Sequence, residues 1–159
     1  MTELIQLLTG MLGSVGFALI FRLPYRYLPL AALGGLLNWG SYLIFFALSD
    51  KLFLSCLAAS AISALYAELL AKRLRAPTIL FLIPTVIPSI PGSNLYYTLE
   101  AAVSGDLAAV GKNALLTCQW AFGIAAGISL VSILFVMLRN NKKSKNMPQE
   151  SPAAETRKE

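Results

Sequence analysis

Long apolar runs separated by short polar breaks dominate the chain. The runs cover residues 4–21, 27–48, 52–71, 78–103 and 114–138. Each is close to the roughly 20 residues that a helix needs to cross a bilayer. The breaks are Arg22-Leu23-Pro24-Tyr25-Arg26, Ser49-Asp50-Lys51, the basic cluster Lys72, Arg73 and Arg75, and the turn Ser104-Gly105-Asp106. The pattern predicts an all-α integral membrane protein with five transmembrane helices, the fourth broken between Pro84 and Gly92. A single transmembrane domain over residues 1–138 is expected, with a disordered cytoplasmic tail at 139–159.

Small residues mark the faces on which these helices should meet. Gly10, Gly13 and Gly16 recur in the first span, and Gly34, Gly35 and Gly40 fall in the second. In the third, Ser55, Ala59, Ser63 and Ala67 stand at four-residue spacing, which places them on one helix face. Gly123 and Gly127 do the same in the last span, beside Gln119, after an amphipathic lead-in at 107–113. Small faces let membrane helices approach closely, where packing and hydrogen bonds hold them together. Asn38, in mid-span near Trp39 and Tyr42, needs a hydrogen-bond partner, either a neighbouring helix or a bound solute.

The fourth run is the unusual one. Pro84, Pro88 and Pro91 with Gly92 sit in the middle of a stretch long enough to span. Each proline lacks an N–H and disfavours helix at the residue before it. A continuous helix would leave the carbonyls of Leu80, Pro84 and Ile87 without donors, tolerable in hydrocarbon only against protein or a watery cavity. The first half-helix is expected to run from 78 to 83 or 87, and the second from near Asn94 to Ser104. Ser93 or Asn94 is the expected N-cap, with free N–H groups around Leu95 to Tyr97 to receive an anion. Discontinuous spans of this kind carry the substrate sites of secondary transporters; a packed structural kink is the alternative. The candidate substrate-binding residues are therefore Pro88, Pro91, Gly92, Ser93, Asn94, Tyr96, Tyr97 and Asn38. Ser93, Tyr96, Tyr97 and Glu100 can share one helix face. Glu100 and Glu68 are the proton-coupling candidates, since a desolvated carboxylate exchanges protons more readily. Water near the following turn argues against that role for Glu100, and an i,i+4 pair with Lys72 explains Glu68 more cheaply.

Composition agrees with the pattern. The chain is 57% hydrophobic and 13% charged, with a mean hydropathy of +0.66. A net charge of +5 would also suit a nucleic-acid binder, but the basic residues gather at the ends of apolar runs. In a five-span arrangement Arg22, Arg26, Lys72, Arg73, Arg75, Arg139, Lys142, Lys143 and Lys145 share one side. The positive-inside rule makes that side cytoplasmic and puts the N-terminus outside. Met1-Thr2-Glu3 brings an acid and no base ahead of the first run, so that run is expected to stay as a span and not as a cleaved signal.

The chemistry available excludes several functions. There is no histidine, no Ser-His-Asp or Cys-His set, and no metal-ligand spacing. Cys56 and Cys118 lie in apolar segments and read as packing residues. No glycine-rich nucleotide signature occurs, so coupling to a gradient or a partner is expected, with no cofactor and no enzymatic activity.

Asn38-Trp39-Gly40, the basic end of the third span, and above all Ile87-Pro88-Ser89-Ile90-Pro91-Gly92-Ser93-Asn94-Leu95-Tyr96 resemble the threonine/serine exporter family. The resemblance covers about residues 4–138 and is nearest to the small, YjjB-like membrane subunit, which corresponds to the C-terminal membrane half of longer exporters. It implies half of a secondary exporter of small polar metabolites in the bacterial inner membrane, driven by the proton gradient. It also implies a larger YjjP-like partner subunit. Threonine and serine are the implied cargo, with small dicarboxylates such as succinate an alternative for two-subunit members. A zwitterionic amino acid suits N–H donors and freed carbonyls together, whereas a dicarboxylate wants more positive charge than these spans hold. A non-transporting regulatory subunit and a homo-oligomeric pore are the rival readings.

Overall fold

The computed structural model describes residues 2–145. Six helices follow one another: α1 (Thr2–Ile20), α2 (Leu28–Ser49), α3 (Leu52–Leu74), α4 (Ile79–Val86), α5 (Gly92–Ser104) and α6 (Leu107–Lys145). Two 3₁₀ turns, Tyr25–Tyr27 and Ile87–Ser89, complete the chain, and no strand occurs among the described residues. Four helices are long and apolar enough to cross a membrane alone, and the bent pair α4–α5, taken as one span, makes five. The protein is an all-α multi-pass membrane protein. The predicted lead-in at 107–113 is the continuous first part of α6, which also runs past Leu138 to Lys145; residues 146–159 of the expected tail lie outside the described residues.

The turns follow from local chemistry. Helices α2, α3 and α5 end on a left-handed residue: Asp50, Arg75 and Gly105 at φ 52°, 53° and 78°. A sixth-to-first bond closes three ends, with Leu23, Ala76 and Asp106 N–H reaching the carbonyls of Ala18 and Ala71 and of Ala101 respectively. Asp106 then starts α6 by accepting from the amides of Ala108 and Ala109 at 3.1 and 3.0 Å, a side-chain cap on otherwise orphaned donors.

Small residues set the packing, but not all of those expected. Ser55, Ala59, Ser63 and Ala67 are all buried on α3. A Cβ at Gly123 would come within 2.8 Å of Cys56 Cβ and 3.0 Å of the Phe53 carbonyl, so α6 lies tight on α3. Gly34 and Gly35 play the same part on α2, where a side chain would strike Thr85 and Ser14 respectively. On α1 a Cβ at Gly10 would meet Trp39 and Pro88 only at ordinary contact distance, 3.4 and 3.7 Å, and Gly13 and Gly16 face open space. A three-residue repeat drifts about 60° per step around a helix of 3.6 residues per turn, so one neighbour cannot meet all three.

The result is lopsided around the break. Helix α4 packs on α1, α2 and α3, whereas α5 packs chiefly on α6. Phe81, Pro84, Thr85 and Val86 of α4 are buried; on α5 only Ala101 is. The two halves diverge by 55°.

Candidate functional site

The break itself is a short run of tight turns. The Ile90 N–H bonds the Ile87 carbonyl at 3.1 Å and the Gly92 N–H bonds the Ile90 carbonyl at 2.8 Å. Ile87 therefore does not present the free carbonyl that the proline pattern suggested. The second half-helix also starts earlier than the cap chemistry suggested. Its N-cap is Pro91, with no side-chain cap, and Ser93 and Asn94 lie in the first turn. The Leu95 amide is already engaged by the Pro91 carbonyl at 3.1 Å, so the free donors are not at 95–97. The amides of Ser93 and Asn94 are without a hydrogen-bond partner among the described residues. Proline at the cap brings no donor of its own and no side-chain oxygen, which moves the helix start ahead of the polar residues.

A buried polar chain holds the break against the bundle. Asn38 of α2 is fully buried. Its amide donates to Ser63 Oγ at 2.8 Å, and Ser63 donates to the Ala59 carbonyl at 2.8 Å. Ser89, in the 3₁₀ turn before the break, donates its hydroxyl to Asn38 Oδ1. Every member of the chain has a partner, as a polar network inside apolar packing must. Four residues before Ser89, on α4, Thr85 turns its hydroxyl back to the Phe81 carbonyl at 2.7 Å. Asn38 thus meets protein on both its oxygen and its nitrogen. Ser63, expected only as part of a small packing face, and Ser89, expected only as part of the break, are its partners. The signal available was the polar residue in mid-span, which required a mate on a facing helix.

Next to this chain lies a cleft of about 220 Å³ lined by Gln6, Thr9 and Gly10 of α1, Trp39 of α2 and Pro88. The indole N–H of Trp39 is buried and has no partner among the described residues. It is one of two such orphans; the other is the Ser14 hydroxyl, against Gly35 between α1 and α2. An unpaired buried donor costs about 1–3 kcal/mol, and this one belongs to a residue that lines the cleft. Tyr42 packs on Trp39, its ring 5.1 Å from that of Trp39 and 4.9 Å from that of Trp120.

The remaining candidates fall elsewhere. Ser93, Tyr96, Tyr97 and Glu100 do share one face, but that face points away from the bundle, with Tyr96 and Tyr97 63% and 53% exposed. Asn94 and Pro91 are half-buried at the start of α5 and Gly92 is exposed. Glu68 lies at the opposite end of the broken span, half-buried in a second cleft of about 240 Å³ with Lys72, Thr78 and Arg139. Its expected pair with Lys72 is not made; the Lys72 ammonium sits over the Phe135 ring, 4.0 Å from the centroid. Phe81, 1% exposed, belongs to the packed layer of α4 between the two ends, with Tyr27 edge-on at 5.6 Å. Among the described residues no group of acidic, cysteine or histidine side chains could hold a metal ion.

The arrangement is a bent span pinned by hydrogen bonds beside a small cleft, with no catalytic set among the described residues. A sequence model of the family described as "Threonine/Serine exporter, ThrE" matches residues 6–134. The chain belongs to the threonine/serine exporter family. The match runs from the second turn of α1 to the last third of α6 and includes the break, Asn38, Ser63, Ser89 and Trp39. No solved structure matches the chain. Membership in a transporter family makes exporter-type transport across a membrane the activity to explain.

Proposed function

We propose that this protein is the membrane subunit of a threonine/serine exporter and that its cargo passes the α1–α2 side of the break. The observation that carries this reading is the Ser89–Asn38–Ser63 chain, which pins the break beside a cleft holding the unpaired Trp39 N–H. Donors of this kind suit the carboxylate of an amino acid, and Gln6 and Thr9 suit its hydroxyl or ammonium. No cationic side chain lines this cleft, which favours a zwitterion over a dicarboxylate.

The orientation that fits the charges has the N-terminus outside and the basic ends of α3 and α6 in the cytoplasm, in a bacterial inner membrane. The cleft at Trp39 then opens towards the outside and the packed α4 layer closes the inner side. Alternating access would need α4 to move against α1 and α2, and the pinned break is the hinge for that movement. A larger YjjP-like partner subunit, which the family resemblance implies, would complete the path. Proton-gradient coupling would run through a carboxylate, for which Glu100 is the candidate in this reading.

Efflux from an exporter-deficient bacterial host loaded with threonine, serine and succinate tests the reading. The host expresses this chain, the partner, or both. Threonine and serine efflux only with both is the expected result. Flux from this chain alone would support a homo-oligomeric pore, and no flux with both proteins inserted would make this a regulatory subunit. Asn94→Leu and Pro91→Ala, inserted and assembled, should slow efflux; normal rates in both would take the break out of the path.

A further inference from the structure

The second cleft lies between α3, the start of α4 and the end of α6. Its volume of about 240 Å³ is below the roughly 300–1,000 Å³ of drug-sized sites and matches a ligand of amino-acid size. Its walls combine one carboxylate, Glu68, with two cations, Lys72 and Arg139, and one hydroxyl, Thr78. Ala71, Ala76, Phe135 and Val136 form the apolar remainder.

Opposite charges that share a small cleft usually pair. Here the Lys72 ammonium is held over the Phe135 ring, and Glu68 forms no ion pair or hydrogen bond among the described residues. Glu68 is half-buried, so its carboxylate is also short of water on one side. A cleft with an unpaired anion and two cations is complementary to a ligand that carries both signs. An α-amino acid does so with its charges one carbon apart. Its ammonium would meet Glu68 and its carboxylate would meet Lys72 and Arg139, both as charge-assisted hydrogen bonds. A short side chain would face Ala71 and Ala76, with the Thr78 hydroxyl within reach of a cargo hydroxyl.

We infer that this cleft is the cytoplasmic loading site for a zwitterionic amino acid, distinct from the cleft at Trp39 and separated from it by the buried residues of α4. The inference rests on the exporter reading above and adds the residues that first recognise the cargo. An anionic group alone, such as a lipid phosphate or free phosphate, would use Lys72 and Arg139 but would be repelled by Glu68. Glu68 is therefore the residue that separates the two occupants.

Inside-out membrane vesicles carrying the complete exporter expose this face. Uptake of radiolabelled threonine over a concentration series gives the half-saturating concentration and the maximal rate. Glu68→Gln and Arg139→Gln should each raise the half-saturating threonine concentration about tenfold or more, as expected for loss of a charge-assisted contact, with the maximal rate largely kept. Glu68→Asp should recover part of the affinity. In the unaltered protein 3-hydroxybutyrate, which lacks the ammonium, should compete poorly; in Glu68→Gln the preference for threonine over it should shrink by a similar factor. If Arg139→Gln weakens uptake while Glu68→Gln leaves it unchanged or improves it, the cleft is an anion or lipid site and the inference is overturned. Unchanged affinity in both variants overturns it as well. If the unaltered exporter moves no threonine at all, the exporter reading itself fails and this inference falls with it.

Discussion

The two halves of the broken span differ in residues, α4 almost wholly apolar and α5 mixed, and in surroundings. Helix α4 buries Phe81, Pro84, Thr85 and Val86 among three other helices, whereas α5 buries Ala101 and leans on α6. The polar groups split the same way. Ser89 and Thr85 are spent on internal hydrogen bonds, while Ser93, Tyr96, Tyr97 and Glu100 look outwards. In a bilayer an apolar face can meet lipid or protein, so sequence alone does not distinguish the two. The comparison teaches that the half resembling a recognition motif is the outer, thinly packed one. The half that pins the path is the plain one.

The largest effect should come from crowding the inner half. A Cβ at Gly34 would run into Thr85 and come within 3.1 Å of Tyr66. Gly34→Leu should therefore separate α4 from α2 at a cost of roughly 3 kcal/mol or more. The variant is expected to be lost from the membrane, read by immunoblot and by the thermal stability of the solubilised complex. On the outer half Gly92→Leu meets nothing within 4 Å and should cost less than about 1 kcal/mol in the same assays. Equal losses for the two would erase the distinction.

Asn38→Leu breaks the chain that pins the break and leaves Ser89 without its acceptor. A buried interhelical hydrogen bond in a membrane averages about 0.6 kcal/mol, so the fold should survive. Threonine efflux should nevertheless fall by about tenfold or more, because the hinge loses its register. An efflux rate close to that of the unaltered protein would make the network a packing feature. Trp39→Phe is milder still. It keeps the aromatic body against Tyr42 and removes only the N–H, and it should weaken threonine affinity about five- to tenfold, in line with one hydrogen bond. The smallest effect belongs to α5. Tyr96→Ala with Tyr97→Ala should change the stability of this chain alone by less than about 0.5 kcal/mol, while lowering its co-purification with a partner if that face is covered in the complex.

Much of this fold was legible in the residues. The apolar runs and their punctuation marked the spans, because a bilayer demands long internally bonded helices. The prolines at 84, 88 and 91 marked the bend for the same reason. The start of α5 was not legible, because Pro91 took the cap position that Ser93 or Asn94 suits chemically. The mate of Asn38 was not legible either. Ser63 and Ser89 are remote in sequence, and a serine amid small residues looks like any other packing position. Nothing in the residues marked Trp39 as a site residue, because the burial of its unpaired N–H depends on the packing of α1 and the break around it. The Glu68–Lys72 spacing promised an ion pair, and the aromatic ring of Phe135, far along the chain, took the lysine instead.

The most direct test is solute protection of single cysteines in the assembled exporter. Cys118 is exposed and Cys56 buried, so Cys118→Ser provides a quiet background. A membrane-impermeant maleimide added from outside would label Gln6→Cys in the cleft and Tyr96→Cys on the outer face of α5. If cargo passes the α1–α2 side of the break, threonine should slow labelling at Gln6→Cys severalfold and leave Tyr96→Cys unchanged. Protection at Tyr96→Cys with none at Gln6→Cys would place the path on the other face of the broken span and contradict the proposed route.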